Sequence, residues 1–355
     1  MDRNSGDTSA ARACRLCGGV ANLVYAGHWG FQAPGRYDLY ECLQCETSFA
    51  DPMVVDPAIY ELVYSKSAEL PGYERYGRYR RLLKSSADPL GDLCQLEDVY
   101  WGVREALQAL AKGRERPLEI LEVGSGFGYL TYALRRAGYE CTGTDISKSA
   151  VDAAVQDFGN HYRVAELTEM AAASSARVDV VVATELIEHL PDPKAFLALA
   201  ASLLQPDGAL IVTTPNRGIY PAHHAWDTDP PPVHLWWLSR TSLRYLAWTL
   251  GMSLEFIDFS GFYGRRHAER VRKATKPQSF DAEGNVTFKD SALKTLARRA
   301  MSVAPGLFRP LGKLFLASLS FSRNRDALFK DSLSLCAILR PRGAAERPLS
   351  PPRPA

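Results

Sequence analysis

This chain of 355 residues lacks the segments that mark membrane-spanning and secreted proteins. It has no run of about 18 uninterrupted apolar residues, so we expect no membrane span. Its opening segment, "MDRNSGDTSAARACRLC", has no apolar stretch of the kind that a signal peptide needs. The seven cysteines are too unevenly spaced for a secreted disulfide framework. We therefore expect a reducing, cytoplasmic setting.

An excess of charge of one sign is also missing. Lysine and arginine number 42 against 40 aspartates and glutamates, for a formal net charge of +2. The overall composition therefore does not require nucleic acid or an acidic surface as a partner. No internal repeat with a period of about 20 to 50 residues is present, which argues against a solenoid. With 46% hydrophobic residues, the chain can bury a core, and its length suggests two domains or one with large additions.

Two Cys-x-x-Cys pairs stand near the N-terminus, in "CRLCGG" and "YECLQCETSF". Four thiolates in two such pairs are a complete ligand set for a tetrahedral zinc ion. The predicted zinc ligands are Cys14, Cys17, Cys42 and Cys45. Because the protein would fill all four positions, the ion has no position for a substrate, and we expect it to stabilise the fold rather than to catalyse.

Short apolar strand patterns alternate with helical patterns from about residue 115 onward. "LEILEV" is followed by the helical "YLTYALRRAG", "YECTGTDIS" by "KSAVDAAVQDFG", and "ALIVTTPN" and "SLEFIDFS" are further strand patterns. This alternation predicts a doubly wound, Rossmann-like α/β sheet built from βαβ units. "DSLSLCAILRP", near residues 331–341, predicts one more strand.

The domain prediction follows from these patterns. In chain order it comprises a disordered tail over 1–12, a zinc-ribbon module over 13–52, a helical connector or lid over 53–114, an α/β domain over 115–341 and a disordered tail over 342–355. The connector is rich in tyrosine, including Tyr60, Tyr64, Tyr73 and Tyr76. These side chains either fold over a ligand as a lid or serve ordinary packing, and the sequence leaves both readings open.

A helical insertion is predicted at about residues 262–330, within the α/β domain. One reading packs it on the sheet. The other gives it a basic amphipathic face for peripheral contact with a membrane or a lipid-linked substrate. The basic residues that allow the second reading are Lys294, Arg298, Arg299, Arg309 and Lys313.

A glycine-rich turn follows the first strand of the α/β domain. "LEVGSGFG" places Gly124, Gly126 and Gly128 between a strand and a helix, where the backbone must turn tightly and let a ligand lie against it. Asp145 ends the next strand, about 20 residues on, where a carboxylate can accept hydrogen bonds from two ribose hydroxyls. This context predicts a nucleotide-containing ligand.

Two residues favour S-adenosylmethionine over a nicotinamide dinucleotide. Glu122 stands two residues before the first glycine, where its charge would oppose a pyrophosphate but attract the ammonium group of S-adenosylmethionine. Tyr129 occupies the position at which a dinucleotide fingerprint has its last glycine.

Four segments together resemble the successive motifs of class I S-adenosylmethionine-dependent methyltransferases, in the branch that contains ubiquinone-pathway O-methyltransferases. They are "LEVGSGFG", "GTDIS", "VDVVVATELIEHLPDP" and "LLQPDGALIVTTPN", within about residues 115–260. The resemblance implies that Glu122 and the three glycines line the methionine end, that Asp145 holds the ribose and that Ile146 flanks the adenine. Glu166 is the nearest acid to the family's adenine-binding position, where the usual Asp is absent. Glu185 completes the implied cofactor set.

"ELIEHL" follows the fourth strand of the sheet, at the edge where α/β proteins bind ligands. At a helix start, Glu185, Glu188 and His189 share one face, and such a set can bind a divalent cation or supply a general base. The segment resembles the magnesium site of small-RNA 2′-O-methyltransferases and some quinone O-methyltransferases. That resemblance implies Glu185, Glu188, His189 and His234 as cation ligands.

The predicted catalytic residues are His189, Glu188 and His234. His189 acts as a base or orients the substrate. His234 either joins it, caps the helix that begins in "SRTSLRYL", or packs under two tryptophans. His223 and His224 are weaker candidates on the same long loop, residues 216–235, which we expect to form a wall over the acceptor pocket.

We predict methyl transfer from S-adenosylmethionine to a hydroxyl of a small molecule, a sugar or a lipid-linked glycan. The front module resembles those of sugar and antibiotic methyltransferases and of zinc-knuckle ribosomal-RNA methyltransferases, so carbon methylation and an RNA acceptor are the alternatives. Near balance of charge in residues 1–52 argues against nucleic acid. A binding protein without catalysis conflicts with the intact glycine turn. The sequence does not indicate an oligomeric state.

Overall fold

The computed structural model describes residues 11–70, 73–173, 177–219, 230–263 and 332–342. The predicted insertion lies almost wholly outside the described residues, as do His223, His224 and the five basic residues named above. In the described part of the chain, no helix combines the length and the apolar character that a membrane crossing requires.

The described strands form two sheets. The strands are β1 (Arg12–Ala13), β2 (Val20–Trp29), β3 (Arg36–Cys42), β4 (Thr47–Asp51), β5 (Glu119–Val123), β6 (Glu140–Asp145), β7 (Tyr162–Val164), β8 (Val178–Ala183), β9 (Leu204–Pro215), β10 (Trp236–Trp237), β11 (Met252–Phe256) and β12 (Ser334–Pro341).

The helices precede, alternate with and follow the strands of the larger sheet. They are α1 (Pro57–Ser65), α2 (Glu74–Lys84), α3 (Pro89–Leu96), α4 (Asp98–Ala111), α5 (Tyr129–Arg136), α6 (Lys148–Phe158), α7 (Leu167–Ala173), α8 (Pro193–Ser202), α9 (Arg240–Thr249) and α10 (Ser260–Tyr263). Short 3₁₀ helices cover Ile187–His189 and Arg217–Ile219.

The larger sheet has seven strands in the order β11-β12-β9-β8-β5-β6-β7. Strands β5 to β9 run parallel, whereas β12 and β11 are antiparallel to their neighbours. This arrangement confirms the predicted doubly wound α/β class. The strand order reverses between β5 and β8, so the carboxyl ends of these two strands flank the crevice where open α/β sheets bind ligands.

Both faces of the seven-stranded sheet are buried, which explains its nearly continuous apolar strands. In β8, Val180 and Val182 pack with residues of α3, α4 and α5, whereas Val181 packs toward α8 and α9. Successive side chains point to opposite faces because a strand has a period of two residues.

The smaller sheet has five strands in the order β1-β2-β3-β4-β10. Strand β10 follows β9 in the sequence, but it pairs with β4 of the smaller sheet. Trp236 lies opposite Phe49, and Trp237 lies opposite Ser48. Cys14, Cys42 and Cys45 belong to the same buried cluster as residues of β8, β9 and α9. The sheet of the predicted ribbon module is therefore completed by two residues from beyond residue 230.

The carboxyl group of Asp98, at the start of α4, joins the chain ends on either side of residues 264–331. Tyr263 Oη donates a hydrogen bond to it at 2.5 Å and Ser334 Oγ donates at 3.2 Å. The amide of Leu333 donates to Tyr263 Oη at 3.2 Å. Strand β12, which the sequence predicted, therefore begins beside the end of α10.

Candidate functional site

The glycine turn between β5 and α5 has the backbone that the sequence predicted. Gly124, Gly126 and Gly128 have φ values of +75°, +50° and +78°, a region that side chains disfavour. A Cβ atom at Gly128 would lie 2.7 Å from Ala154 Cβ, so glycine is needed there for α5 to approach α6. A Cβ at Gly126 would lie 3.1 Å from Tyr64 Oη.

Asp145 ends β6 beside this turn and is only 6% exposed. One carboxylate oxygen accepts from the Gly126 amide at 2.8 Å and the other from the Ser147 amide at 2.9 Å. Burial raises the pKa of Asp145, while these two amides work in the opposite direction. Each oxygen keeps a lone pair for a further donor, so the carboxylate fits a pair of ribose hydroxyls.

The other predicted donor-site residues differ in exposure. Ile146 is 55% exposed beside Asp145, which suits a side chain that an adenine ring would cover. Glu166 is exposed and accepts from Thr168 Oγ1 at 3.3 Å. Glu122 is instead 2% exposed and accepts from Thr131 Oγ1 at 2.5 Å. Burial raises the pKa of Glu122 to about 8.

The segment after β8 is not the helix that the sequence predicted. Glu185 has a φ of +48°, a strained value for a residue with a side chain, and only Ile187–His189 form a single 3₁₀ turn. Thr213 Oγ1 accepts from the Glu185 amide at 3.0 Å and donates to the Glu185 carboxylate at 3.1 Å. The expectation of one shared helical face was wrong because this pairing turns Glu185 toward β9.

Glu188, His189 and His234 nevertheless converge. One carboxylate oxygen of Glu188 and one ring nitrogen of each histidine lie within 4.8 Å of one another. Glu188 is fully buried, and its Oε1 is 3.9 Å from His189 Nε2. The two imidazole centroids are 4.8 Å apart. The group lies at the carboxyl end of β8, across the crevice from the glycine turn.

The tautomer of His189 follows from its hydrogen bond. Its Nδ1 lies 2.6 Å from the backbone carbonyl oxygen of Val233, and only a protonated nitrogen can donate to a carbonyl. In the neutral ring, Nε2 is then the basic nitrogen, and it faces Glu188.

His234 is 5% exposed. The backbone amides of its neighbours Val233 and Leu235 donate to the carbonyl oxygens of Pro230 and Glu188. The reading of His234 as a helix cap was wrong, because Ser239 caps α9 through its side chain and the Ser242 amide. Trp236 is buried and its indole Nε1 donates to the Leu190 carbonyl at 2.8 Å.

Carboxylates dominate the charge in this crevice. Burial and the nearby Glu188 carboxylate raise the pKa of Glu185, with Asp98 adding to the effect. The crevice therefore favours groups that carry or share a proton, or a cationic ligand.

The four predicted zinc ligands also converge. The sulfurs of Cys14, Cys17, Cys42 and Cys45 lie within 4.8 Å of one another, with Cys14–Cys45 at 3.6 Å and Cys17–Cys42 at 3.5 Å. A tetrahedron with zinc–sulfur distances of about 2.3 Å has edges of about 3.8 Å, so the thiols fit a zinc ion. Burial raises the pKa of Cys17 to about 11, a cost that a bound cation would offset.

The tyrosines of the connector contact two different regions, and whether any of them forms a lid over the cofactor stays a prediction. The Tyr60 ring meets His189 at 5.9 Å, and the Tyr64 ring meets Phe127 of the glycine turn at 5.2 Å. Tyr76 also contacts Phe127, at 6.1 Å. Tyr73 is buried against Phe31 and serves packing.

Sequence reasoning missed the partners that orient the predicted residues. Thr213 holds Glu185, and the Val233 carbonyl sets the tautomer of His189. The apolar "VHLWWL" around His234 was the available signal, because a β-like run beside a histidine indicates that its neighbours are buried and hydrogen-bonded.

Known proteins match the part of the chain that carries this crevice. A family model described as a methyltransferase domain matches residues 97–255. A ubiquinone biosynthesis O-methyltransferase of Parvibaculum lavamentivorans is 31% identical over 191 residues, 52% of this chain and 72% of that protein. One from Alkalilimnicola ehrlichii is 34% identical over 135 residues, 37% of this chain and 54% of that protein.

Solved structures align more loosely. The magnesium protoporphyrin IX methyltransferase of Synechocystis PCC 6803, with bound S-adenosylmethionine, is 19% identical with a TM-score of 0.36, covering 58% of this chain and 91% of that one.

Proposed function

The chain belongs to the S-adenosylmethionine-dependent methyltransferases, and on that premise we propose that it methylates a hydroxyl oxygen of a small-molecule, sugar or lipid-linked glycan acceptor. The observation that carries the proposal is the cluster of Glu188, His189 and His234 across the crevice from the glycine turn. The curated relatives described above are named O-methyltransferases, which supports oxygen as the acceptor atom.

The proposed mechanism gives each residue one task. When bound, S-adenosylmethionine would supply the methyl group of its sulfonium to the hydroxyl oxygen, and the broken carbon–sulfur bond would leave S-adenosylhomocysteine as a neutral thioether. The glycine turn and Asp145 hold the donor. His189 accepts the acceptor's hydroxyl proton at Nε2, while its Nδ1–H stays bonded to the Val233 carbonyl. Glu188, 3.9 Å from Nε2, stabilises the resulting imidazolium, as positioned carboxylates do for general bases.

A second candidate for the same step is a divalent cation held by Glu188, His189 and His234. The observation in its favour is the convergence of their ligand atoms. A cation would lower the pKa of a bound hydroxyl. Two imidazoles and one carboxylate suit manganese, iron or zinc better than magnesium, which prefers oxygen ligands.

We assign the four-cysteine cluster to a structural zinc ion. Since thiols persist as metal ligands only where they stay reduced, we place the enzyme in the cytoplasm.

Transfer of a labelled methyl group tests the proposed reaction. Purified protein and methyl-labelled donor are incubated with catechol, nucleotide sugars, a lipid extract and total RNA, and the labelled product is analysed by mass spectrometry and NMR. We expect label on oxygen. His189→Ala should lower turnover roughly 10²- to 10⁴-fold, the usual contribution of a general base, with donor affinity unchanged. His161→Ala, a histidine outside the crevice, is the matched control. Label on carbon, or on added RNA, would overturn the proposal.

Chelation separates the base from the cation. The enzyme is dialysed against EDTA at a concentration that leaves zinc in the cysteine cluster, and manganese or magnesium is then added back. Unchanged turnover assigns the step to His189 alone. Loss with rescue by manganese assigns it to a cation, and rescue by magnesium alone would contradict the ligand preference argued above.

A further inference from the structure

Helix α1 contacts a small apolar cluster with one face and the crevice of the larger sheet with another. Ile59 and Val63 are buried in a small apolar cluster that includes Phe31 and Val233. Tyr60 and Tyr64 stand four residues apart and therefore share a second face of the helix. That face contacts the crevice of the larger sheet.

The two tyrosines reach opposite sides of the crevice. A Cβ atom added at Gly126 would lie only 3.1 Å from Tyr64 Oη. The Tyr64 ring packs edge-on against Phe127, with the ring centroids 5.2 Å apart. Tyr60 packs edge-on against His189 at 5.9 Å. Since four helical residues rise about 6 Å, one turn of α1 spans from the donor-binding turn to the candidate base.

Polar contacts fix the helix over this position. Asp56 caps it by accepting from the Ala58 amide at 3.0 Å. On its outer side, Glu61 accepts from Ser149 Oγ at 2.6 Å, and Ser149 lies at the start of α6, just after Asp145. The Asp145 carboxylate is close enough to Tyr64 to add to the effect of burial in raising the pKa of that phenol.

We propose that α1 is part of the donor site, that Tyr64 contacts S-adenosylmethionine through its hydroxyl, and that Tyr60 is a positioning residue that passes the placement of α1 to His189. A phenol beside Gly126 and Asp145 can hydrogen-bond a polar group of the donor without adding a charge near the sulfonium. Donor binding then orders the acceptor side before the acceptor arrives. The proposal requires only the family's donor and does not depend on oxygen as the acceptor atom.

Calorimetry with S-adenosylhomocysteine tests the role of Tyr64. Tyr64→Phe keeps the ring and its packing but removes the hydroxyl, and we expect the Kd to rise roughly five- to tenfold, the loss of one neutral hydrogen bond. Tyr25→Phe, at an exposed tyrosine of β2, should leave the Kd unchanged. A Kd within twofold of wild type for Tyr64→Phe would overturn the assignment.

NMR of the histidine side chains tests the role of Tyr60 without any acceptor. We expect S-adenosylhomocysteine to shift the His189 Hε1 signal, which is assigned by its loss in His189→Gln. In Tyr60→Leu this shift should vanish while the donor Kd stays within twofold of wild type, and Tyr60→Phe should restore it. A shift that persists in Tyr60→Leu, or no shift in wild type, would overturn the coupling.

Discussion

The backbone amide of Leu235 donates to the carbonyl oxygen of Glu188 at 2.8 Å, and the carbonyl oxygen of Leu235 accepts from the Ala50 amide at 2.9 Å. Leu235 thus bonds to the segment that carries Glu188 and His189 on one side and to the ribbon on the other. His189 bonds to the carbonyl of Val233, two residues earlier in the same segment. Residues 233–235 therefore connect β4, in the sheet that carries the cysteines, to the segment of the proposed base.

Loss of the proposed zinc ion should disturb His189 and His234, the two histidines of the crevice. We expect about one zinc per wild-type chain by elemental analysis. Cys45→Ser should lose the metal, lower the melting temperature and shift the imidazole signals of His189 and His234. Cys94→Ser, at a buried cysteine outside the cluster, should keep both metal and signals. This prediction would be contradicted if wild-type protein contained no zinc, or if the imidazole signals of His189 and His234 did not shift when the zinc was lost.

Replacement of Asp145 should weaken donor binding. In Asp145→Asn, the side-chain NH₂ group would face the backbone amide of Gly126 or Ser147, where a carboxylate oxygen now accepts. The ribose hydroxyls of the donor would also lose the charged carboxylate as their acceptor. Hydrogen bonds to charged groups contribute about 1.5–3 kcal/mol each, so we expect the Kd for S-adenosylmethionine to rise at least 100-fold by calorimetry. Asp152→Asn, at an exposed position on α6, is the control. Retained affinity in Asp145→Asn would remove this residue from the donor site.

The buried Glu122 carboxyl should make stability depend on pH. Its folded pKa, about 8, lies above the ordinary value of 4.5, so the folded state binds the proton more tightly than the unfolded state. Its contribution is complete below pH 4.5 and is lost as the pH rises toward 8. At about 1.4 kcal/mol for each pKa unit, the linkage amounts to about 5 kcal/mol.

Urea unfolding at pH 5 and pH 8 measures this effect. Glu122→Gln should flatten the fall in the free energy of unfolding between these values, whereas Glu140→Gln, at an exposed glutamate of β6, should not. An unchanged slope in Glu122→Gln would show that other groups carry the dependence.

The buried ion pair between Arg217 and Glu41 should be costly to break from one side. Arg217 Nη2 lies 2.6 Å from Glu41 Oε1, and both side chains are less than 10% exposed. Arg217→Met leaves a buried carboxylate, so we expect a loss of about 3–5 kcal/mol in the free energy of unfolding. Arg217→Met combined with Glu41→Gln should cost less than Arg217→Met alone, and an additive loss would argue against a coupled pair.

The sequence predicted the sheet well because strands such as β5, β8 and β12 are short, mainly apolar runs bounded by turns. The glycine turn and Asp145 were equally readable, since their spacing is set by a local strand–turn–helix unit. The convergence of four cysteines from two distant pairs followed from the chemistry of zinc alone.

The missed features depend on contacts distant in sequence. A helical reading of "ELIEHL" is reasonable locally, but Thr213 on a neighbouring strand draws Glu185 into a left-handed conformation. The pairing of Trp236 with Phe49 joins segments nearly two hundred residues apart, and no local periodicity encodes such a pair. The contacts of Tyr60, Tyr64 and Tyr73 likewise depend on how the connector packs against the rest of the chain, which no local pattern encodes.

The addition of β10 to the ribbon bears on how this enzyme could be re-engineered. Trp236 and Trp237 are 2% and 3% exposed, and part of their packing comes from the ribbon, Phe49 against Trp236 and Leu39 and Ala50 against Trp237. A truncated chain that begins after residue 52 would present their indoles and an unpaired strand edge to solvent, and such edges recruit other chains. An exchange of front modules between homologues would therefore have to transplant two separate pieces, residues 13–52 and residues 230–239, as one graft.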